Sequence, residues 1–292
     1  MKQQINWNEL WKEVSNQRTT GSLNTTSEFW DQFAETFRKK TKKSDEYIEQ
    51  FYEMMQIRPG ESIFDMGCAS GTLAIPYAQR GHEIYAADFS PRMLEVLMQN
   101  AEEEGVADRI HPIRLDWNED WSLRDLPVCD IAIASRSLIF EDLTSSLKKL
   151  ESVASRRVCV GAWDTPTKGF DRFVSKAIGY ERPGLAVHSV IMGELMSRDV
   201  SPEMLIIRSP FRLSRFKSFE EGMETLRHSF IDGLTPDQEQ RLQEYCSTHL
   251  IRKQSPGYKS SGCDGQELED YWQLDHDDMS TVAFIRWDKD SI

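Results

Sequence analysis

The chain has 292 residues, 39% hydrophobic and 28% charged, the composition of a globular protein with a sizeable core. Its 48 acidic and 35 basic residues give a formal charge of −13, the wrong sign for a protein whose main business is binding phosphate backbones. No apolar run approaches the roughly 18 residues of a membrane span, the first residues do not resemble a signal peptide, and five cysteines without CxxC spacing suggest neither a disulfide framework nor a zinc site.

A cytoplasmic location, no membrane or nucleic-acid partner and no metal are the expectations that follow. No internal repeat or low-complexity tract is present. The first sixty residues read as helices. Trp7 and Trp11 stand one helical turn apart, and Phe29, Trp30, Phe33 and Phe37 recur at helical spacing behind a polar break, with Ser27 as N-cap. Tyr47, Ile48, Phe51, Tyr52 and Met55 mark a third amphipathic helix, ended by Arg58-Pro59-Gly60. From Ser62 the period changes. Short apolar runs at 62–65, 83–87, 110–115, 130–134 and 157–162 alternate with helical patterns at 73–80, 91–104 and 143–154. Such alternation predicts βαβ units and a parallel sheet covered on both faces.

Beyond Asp164 the alternation lapses. Helices are expected at 170–178, 190–198, 219–226 and 236–250, a strand at 204–207, a loop over 255–265 and a last strand at 280–287. No helix leads into that last strand, so it is expected to run antiparallel. The predicted fold class is α/β: a doubly wound, mostly parallel seven-stranded sheet. Its expected parts are an N-terminal helical cap (1–60), a Rossmann-like core (61–165) and helical insertions with the final strands of the same domain (166–292).

In open parallel sheets the ligand lies outside the carboxyl ends of the strands, where strand order reverses. The first strand ends in Asp65-Met66-Gly67-Cys68-Ala69-Ser70-Gly71-Thr72. Gly67 and Gly71 permit a tight turn and close backbone approach to a ligand. The nicotinamide fingerprint G-x-G-x-x-G is fitted poorly by Ala69 and Thr72, and Asp65 would repel a diphosphate but suits a cation. Asp88 ends the second strand about 20 residues on, where a carboxylate can take both ribose hydroxyls. Asp116-Trp117 ends the third, an acceptor for an exocyclic amine beside a flat ring or a backbone N–H. Ser135-Arg136-Ser137 follows the fourth and opens onto the cleft. Together these residues describe a ligand with an amino-acid head, a ribose and an adenine, but no phosphates.

Asp65–Gly71, Asp88–Leu94, Asp116-Trp117 and Asp130–Ser137, in this order and spacing, resemble the class I S-adenosylmethionine-dependent methyltransferases over about residues 45–165. The resemblance implies a Rossmann-like methyltransferase fold, S-adenosylmethionine as cofactor and S-adenosylhomocysteine as product. Carried over position by position, Gly67, Cys68, Ala69 and Gly71 would line the methionine moiety, with Asp65 steadying it. Asp88 would hold the ribose, Phe89 and Met93 would pack near the adenine, and Asp116 and Trp117 would meet its edge. Ser135 would lie beside the sulfonium, and Trp30 is a candidate lid. Ala69 stands where many members have Gly, which is compatible with binding if its backbone angles are ordinary. Plain structural roles stand beside these: turn glycines, a capping Asp116, and core positions for Phe89, Met93 and the Trp30 stripe.

Methyl transfer is an in-line displacement in which alignment supplies much of the acceleration, and a base is needed only if the nucleophile holds its proton. Ser135-Arg136-Ser137-Leu138 lacks the Asn/Asp-Pro-Pro-aromatic turn of amide and exocyclic-amine methylases. Cys129 precedes its strand, unlike a cytosine-C5 nucleophile, and only Asp164 offers itself to a catechol-type metal. A small-molecule acceptor is what remains. Arg136 is the first candidate to meet it, through a carboxylate or phosphate, or else it pairs with Asp130, Glu141 or Asp142. Trp163 and Asp164 are similarly placed, and His188 is a candidate base. The basic run Arg38–Lys43 either docks an anionic partner or marks a helix C-terminus. The alternatives are an RNA or protein methyltransferase, a non-catalytic regulator that binds the cofactor, and an aminocarboxypropyl transferase. The aromatic N-terminus leaves a lid or a homodimer interface open.

Overall fold

The computed structural model describes residues 5–19, 26–40, 45–163, 171–181, 185–210, 215–230, 233–254, 270–276 and 279–289. Three helices come first, α1 (Trp7–Thr19), α2 (Ser27–Lys40) and α3 (Asp45–Met55). The alternating region follows as β1 (Ile63–Met66), α4 (Ala74–Gln79), β2 (Ile84–Asp88), α5 (Pro91–Glu103), β3 (Ile110–Arg114), β4 (Cys129–Ser135), α6 (Leu143–Ser152) and β5 (Ala154–Trp163). The rest comprises α7 (Arg172–Ile178), α8 (Val187–Ser197), β6 (Glu203–Pro210), α9 (Phe219–His228), α10 (Pro236–His249), β7 (Leu250–Gln254), β8 (Asp270–Leu274) and β9 (Met279–Asp288).

Seven strands form one sheet in the order β3-β2-β1-β4-β5-β9-β6. The β1–β2, β2–β3, β1–β4 and β4–β5 pairs are parallel, and β5–β9 is antiparallel, as the helix-free approach to the last strand predicts. β1 lies between β2 and β4, so the direction of winding reverses there, and the cleft beyond β1 and β4 is the switch point where such folds take ligands.

Alternate residues of each strand enter opposite layers. Ile63, Ile131, Ile133, Cys159 and Phe284 pack with Tyr47, Phe51 and Met55 of α3, Tyr77 of α4 and Leu97 of α5. Phe64, Met66, Ala132, Ala134, Val158, Val160 and Trp287 pack on the other face with Trp11 of α1, Leu147 and Leu150 of α6 and Ile191 and Leu195 of α8. Trp11 is fully buried, stacks on Phe140 at 4.7 Å and donates from Nε1 to the Phe140 carbonyl at 2.9 Å. Local chemistry sets the helix starts. Ser90 accepts from the Met93 amide ahead of Pro91, Asp142 accepts from Ser145, and Thr235 with Gln238 forms a capping box.

The chain divides into two compact units, one of residues 1–164, 185–209 and 281–292, the other of 165–184 and 210–280. The second has its own core, in which Val174 and Ile178 meet Phe216, Leu226, Leu242 and Cys246. It also contains the antiparallel pair β7–β8, which the sequence does not foresee. β7 continues directly from α10 and reads as its end, while Asp270-Tyr271-Trp272-Gln273-Leu274 shows no clean in–out alternation. Among the described residues no helix is long and apolar enough to cross a membrane.

In the first unit, Glu151 of α6 accepts from both Arg198 at the end of α8 (2.6 and 2.8 Å) and the indole of Trp287 in β9 (3.1 Å). The Glu151 and Arg198 side chains are 10% and 17% exposed, so water replaces little of what their removal would lose. Glu151→Ala leaves a guanidinium and an indole N–H without their acceptor and is expected to lower stability by about 3 kcal/mol in urea denaturation at neutral pH.

Candidate functional site

β1 and β2 run in register with Asp65 beside Ala86 and Met66 beside Ala87, so Asp65 and Asp88 arrive at the carboxyl ends of neighbouring strands. They are 2% and 5% exposed. The loop after β1 folds back over β2. The amides of Gly67 and Cys68 donate to the Ala87 carbonyl (2.7 and 3.1 Å), and that of Ala69 donates to Asp88 Oδ2 at 3.0 Å. The Ser90 amide donates to Asp88 Oδ1, also at 3.0 Å. Asp88 thus clamps the glycine loop and the start of α5, with the Phe89 amide as a further donor. Asp65 accepts no hydrogen bond from any described residue.

Burial, with the charge of Asp88 behind it, pushes the Asp65 carboxyl up to about 7. Burial also raises Asp88, to about 6, against the pull of its backbone amide donors. The Cys68 thiol is driven well above its ordinary value by burial and then by both carboxylates, which makes it an unreactive loop residue.

Gly67 and Gly71 have φ of +78° and +93°. A Cβ on Gly67 would stand 2.2 Å from Ser137 Cβ, and one on Gly71 would stand 2.5 Å from Leu97 Cδ1. The loop's own turn and packing therefore require both glycines. Ala69 has φ +48°, which corrects the condition that its backbone be ordinary. A left-handed alanine costs about 1–2 kcal/mol, and here its amide is held by Asp88. Beneath the loop, the Ser70 carbonyl accepts from Asn100 Nδ2 of α5 at 3.0 Å.

Past β2, Phe89 is half-buried and Met93 is 1% exposed. Met93 packs with Ala34 and Val96, and Trp30 of α2 and Ala69 lie against that cluster. Asp31 Oδ1 accepts from Ser90 Oγ (2.5 Å) and from the Arg92 amide (3.3 Å), pinning α2 to the start of α5. Nothing in the spacing around Asp31 announces this role.

Asp116 closes a local turn, accepting from the Asn118 amide at 2.8 Å. Trp117 is 3% exposed, stacks on Trp121 with centroids 5.5 Å apart and donates from Nε1 to the Ser137 carbonyl at 2.8 Å. Its ring is part of the core layer that holds Trp11 and Phe140. Ser137 in turn donates from Oγ to the Met66 carbonyl at 2.6 Å, tying the segment after β4 to β1.

Ser135 Oγ lies 2.6 Å from Tyr47 Oη. Arg136 has φ +59°, donates its amide to the Gly161 carbonyl at 2.7 Å and sets its guanidinium 4.3 Å over the Tyr47 ring. Two of the partners considered for Arg136 are engaged elsewhere. Asp130 accepts from Ser62 at 2.8 Å, and Asp142 caps α6 and holds Asn8. Tyr47 is absent from the sequence-derived site because its spacing with Phe51 marks it as helix core. Trp163 ends β5; its side chain and Asp164 lie outside the described residues. His188 sits in the first turn of α8, whose buried face joins the layer opposite Asp65. Of the basic run, the side chains from Arg38 onward lie outside the described residues.

Residues 63–156 match a family described as a methyltransferase domain. An uncharacterised protein of Haemophilus influenzae is 28% identical over 203 residues, 70% of this chain and 74% of its own. A probable cobalt-precorrin-6B C(15)-methyltransferase (decarboxylating) of Methanobrevibacter smithii is 24% identical over 162 residues, 54% of this chain and 81% of its own. Among solved structures, a precorrin-6y C5,15-methyltransferase from Geobacter metallireducens aligns with TM-score 0.44 at 12% identity, covering 82% of this chain and 87% of that one. The methyltransferase-domain match runs from β1 into β5 and includes Asp65, Asp88 and Ser135.

Proposed function

We propose that the cleft beyond β1, β2 and β4 binds S-adenosylmethionine and that the methyl acceptor is a small molecule. The pair of buried carboxylates on adjacent strand ends carries this reading. Asp65, which accepts no hydrogen bond from a described residue, suits a cationic group, and Asp88, at the neighbouring strand end, suits the hydroxyls of a ribose. Bound there, the cofactor would supply a methyl group on a sulfonium, open to in-line displacement by a lone pair of the acceptor. The chain's part is to hold and align. Asp88 takes the ribose, Phe89 and Met93 wall the base, and Trp30 closes the cleft from α2. The strongly acidic chain and the precorrin-directed relative favour a small acceptor over RNA, with Trp163, the last residue of β5, and Asp164, next in sequence, as acceptor-side positions.

Titration calorimetry with S-adenosylmethionine, S-adenosylhomocysteine and NADH tests the cofactor. The first two are expected to bind and the third not. Asp88→Ala should weaken both by about 1–3 kcal/mol, the worth of hydrogen bonds to a charged group. Unchanged affinity in a folded Asp88→Ala protein would sink the assignment.

The same two carboxyls set a pH dependence. Because Asp65 and Asp88 hold protons up to about 7 and about 6, a cation binds best once they ionise. Affinity for S-adenosylmethionine should rise between about pH 6 and pH 8 and then level, with proton release detectable by varying the buffer's ionisation enthalpy. The ligand-free fold should behave oppositely. It binds these protons more tightly than the unfolded chain does, so their contribution is full below about pH 4 and declines as pH rises towards 7. Asp65→Asn should flatten both trends; a pH-independent affinity in the parent protein would contradict the reading.

A further inference from the structure

In the layer opposite Asp65, helix α6 buries Leu147 and Leu150 and turns another stripe outward. Ser145, Lys148, Lys149 and Ser152, spaced by three and four residues, lie along that stripe. They line a cavity of about 760 Å³ whose other walls are Asn8 of α1 and the 120–126 segment. Trp121, Leu126 and Val153 supply its apolar lining. Two large apolar side chains stand in water at the rim: Leu123, 81% exposed between the lining residues Ser122 and Arg124, and Val128, 61% exposed. Val128 is placed there because the amide that follows it, Cys129, donates to the Val153 carbonyl at 2.9 Å. Single exposed apolar residues are ordinary on a protein surface, but two beside an apolar-lined groove mark a place where a partner can bury them.

The groove's charge also differs from that of the chain. Three cations, Arg124, Lys148 and Lys149, line it beside two carboxylates, Asp120 and Asp142, whereas the whole chain carries −13. Both carboxylates are turned to local donors. Asp120 accepts from the amide and hydroxyl of Ser122, and Asp142 from the Ser145 amide and Asn8 Nδ2. The cations are less fully used. Arg124 holds Glu119, but Lys149 gives one hydrogen bond, to the Trp117 carbonyl, where an ammonium has three to give. Lys148 is exposed and makes no hydrogen bond or ion pair with any described residue.

We propose that this groove docks an acidic segment of a partner protein, one that carries large aliphatic side chains among its carboxylates. The carboxylates meet Lys148 and Lys149, and the aliphatic side chains cover Leu123 and Val128. A phosphate backbone is the poorer match, because it would leave both apolar side chains in water and approach a strongly acidic chain. The groove shares no residue with the proposed cofactor cleft, and its occupant does not depend on that reading.

Fluorescence anisotropy with a fluorescein-labelled peptide alternating glutamate and leucine tests this. A glutamate–serine peptide, a lysine–leucine peptide and single-stranded oligouridylate serve as comparisons. The glutamate–leucine peptide alone is expected to bind, and more weakly as salt rises. Lys148→Glu should weaken it about 3- to 30-fold, through a lost exposed pair and a new like-charge contact. Leu123→Ser should weaken it about 3- to 10-fold through lost apolar burial. Both side chains are exposed, so both variants should keep the parent's midpoint in urea. Parental affinity for the peptide in both variants would overturn the proposal, as would a parent protein that does not bind it. Equal binding of the glutamate–serine or the lysine–leucine peptide would also overturn it, by removing the apolar or the charged half of the recognition. Oligouridylate bound in preference to the peptide would mark a nucleic-acid surface instead.

Discussion

Asp88 accepts one backbone amide from each side of the cleft, Ala69 in the loop after β1 and Ser90 at the cap of α5. Without that carboxylate two buried amides would lose their acceptor, and the strand-to-helix turn would lose what holds Ala69 left-handed. Ser90 passes the constraint on, because its hydroxyl caps α5 and also donates to Asp31 of α2. One acidic side chain thus organises the first loop, the second helix start and, through Ser90, the helix that overlies them.

Holding two carboxylates out of water on neighbouring strands is costly, and the cost is concentrated where a ligand would repay it. Strain collects in the same place. Of the four non-glycine residues with positive φ among the described residues, Ala69 and Arg136 follow the two strands at the switch point. Backbone held in sparsely populated conformations beside Asp65, which accepts no hydrogen bond from a described residue, favours a cleft shaped for a partner molecule over one shaped for the stability of the empty fold.

The parallel core was legible because β1 to β5 and α4 to α6 are each a short segment whose hydrophobic period declares its type. The strand-end residues were legible because topology alone decides where Asp65, Asp88 and Ser135 must lie. Orientation was not legible. Trp117 occupies the expected place yet turns its ring inward, since Trp121 and Phe140 offer it a stacked and an edge-on partner. Gly67 is needed, but for Ser137, a neighbour remote in sequence. Tyr47 carries no signal at all in one dimension, since its contacts with Ser135 and Gly161 depend on the register of β4 against β5. The β7–β8 pair escaped because its strands are joined only across a long connection and neither shows the period of a half-buried strand.

The position of β9 bears on the order in which the molecule can be made. This strand lies between β5 and β6, and it is the sole neighbour in the sheet order through which β6 joins the rest. As the chain leaves the ribosome, the strands and loops of the cleft are complete more than a hundred residues before β9 appears. In that interval β5 has an open edge, available to any other extended chain, and Arg157 awaits the carboxylate of Asp288. A ligand that fills the cleft during this window would favour the half-built sheet by mass action.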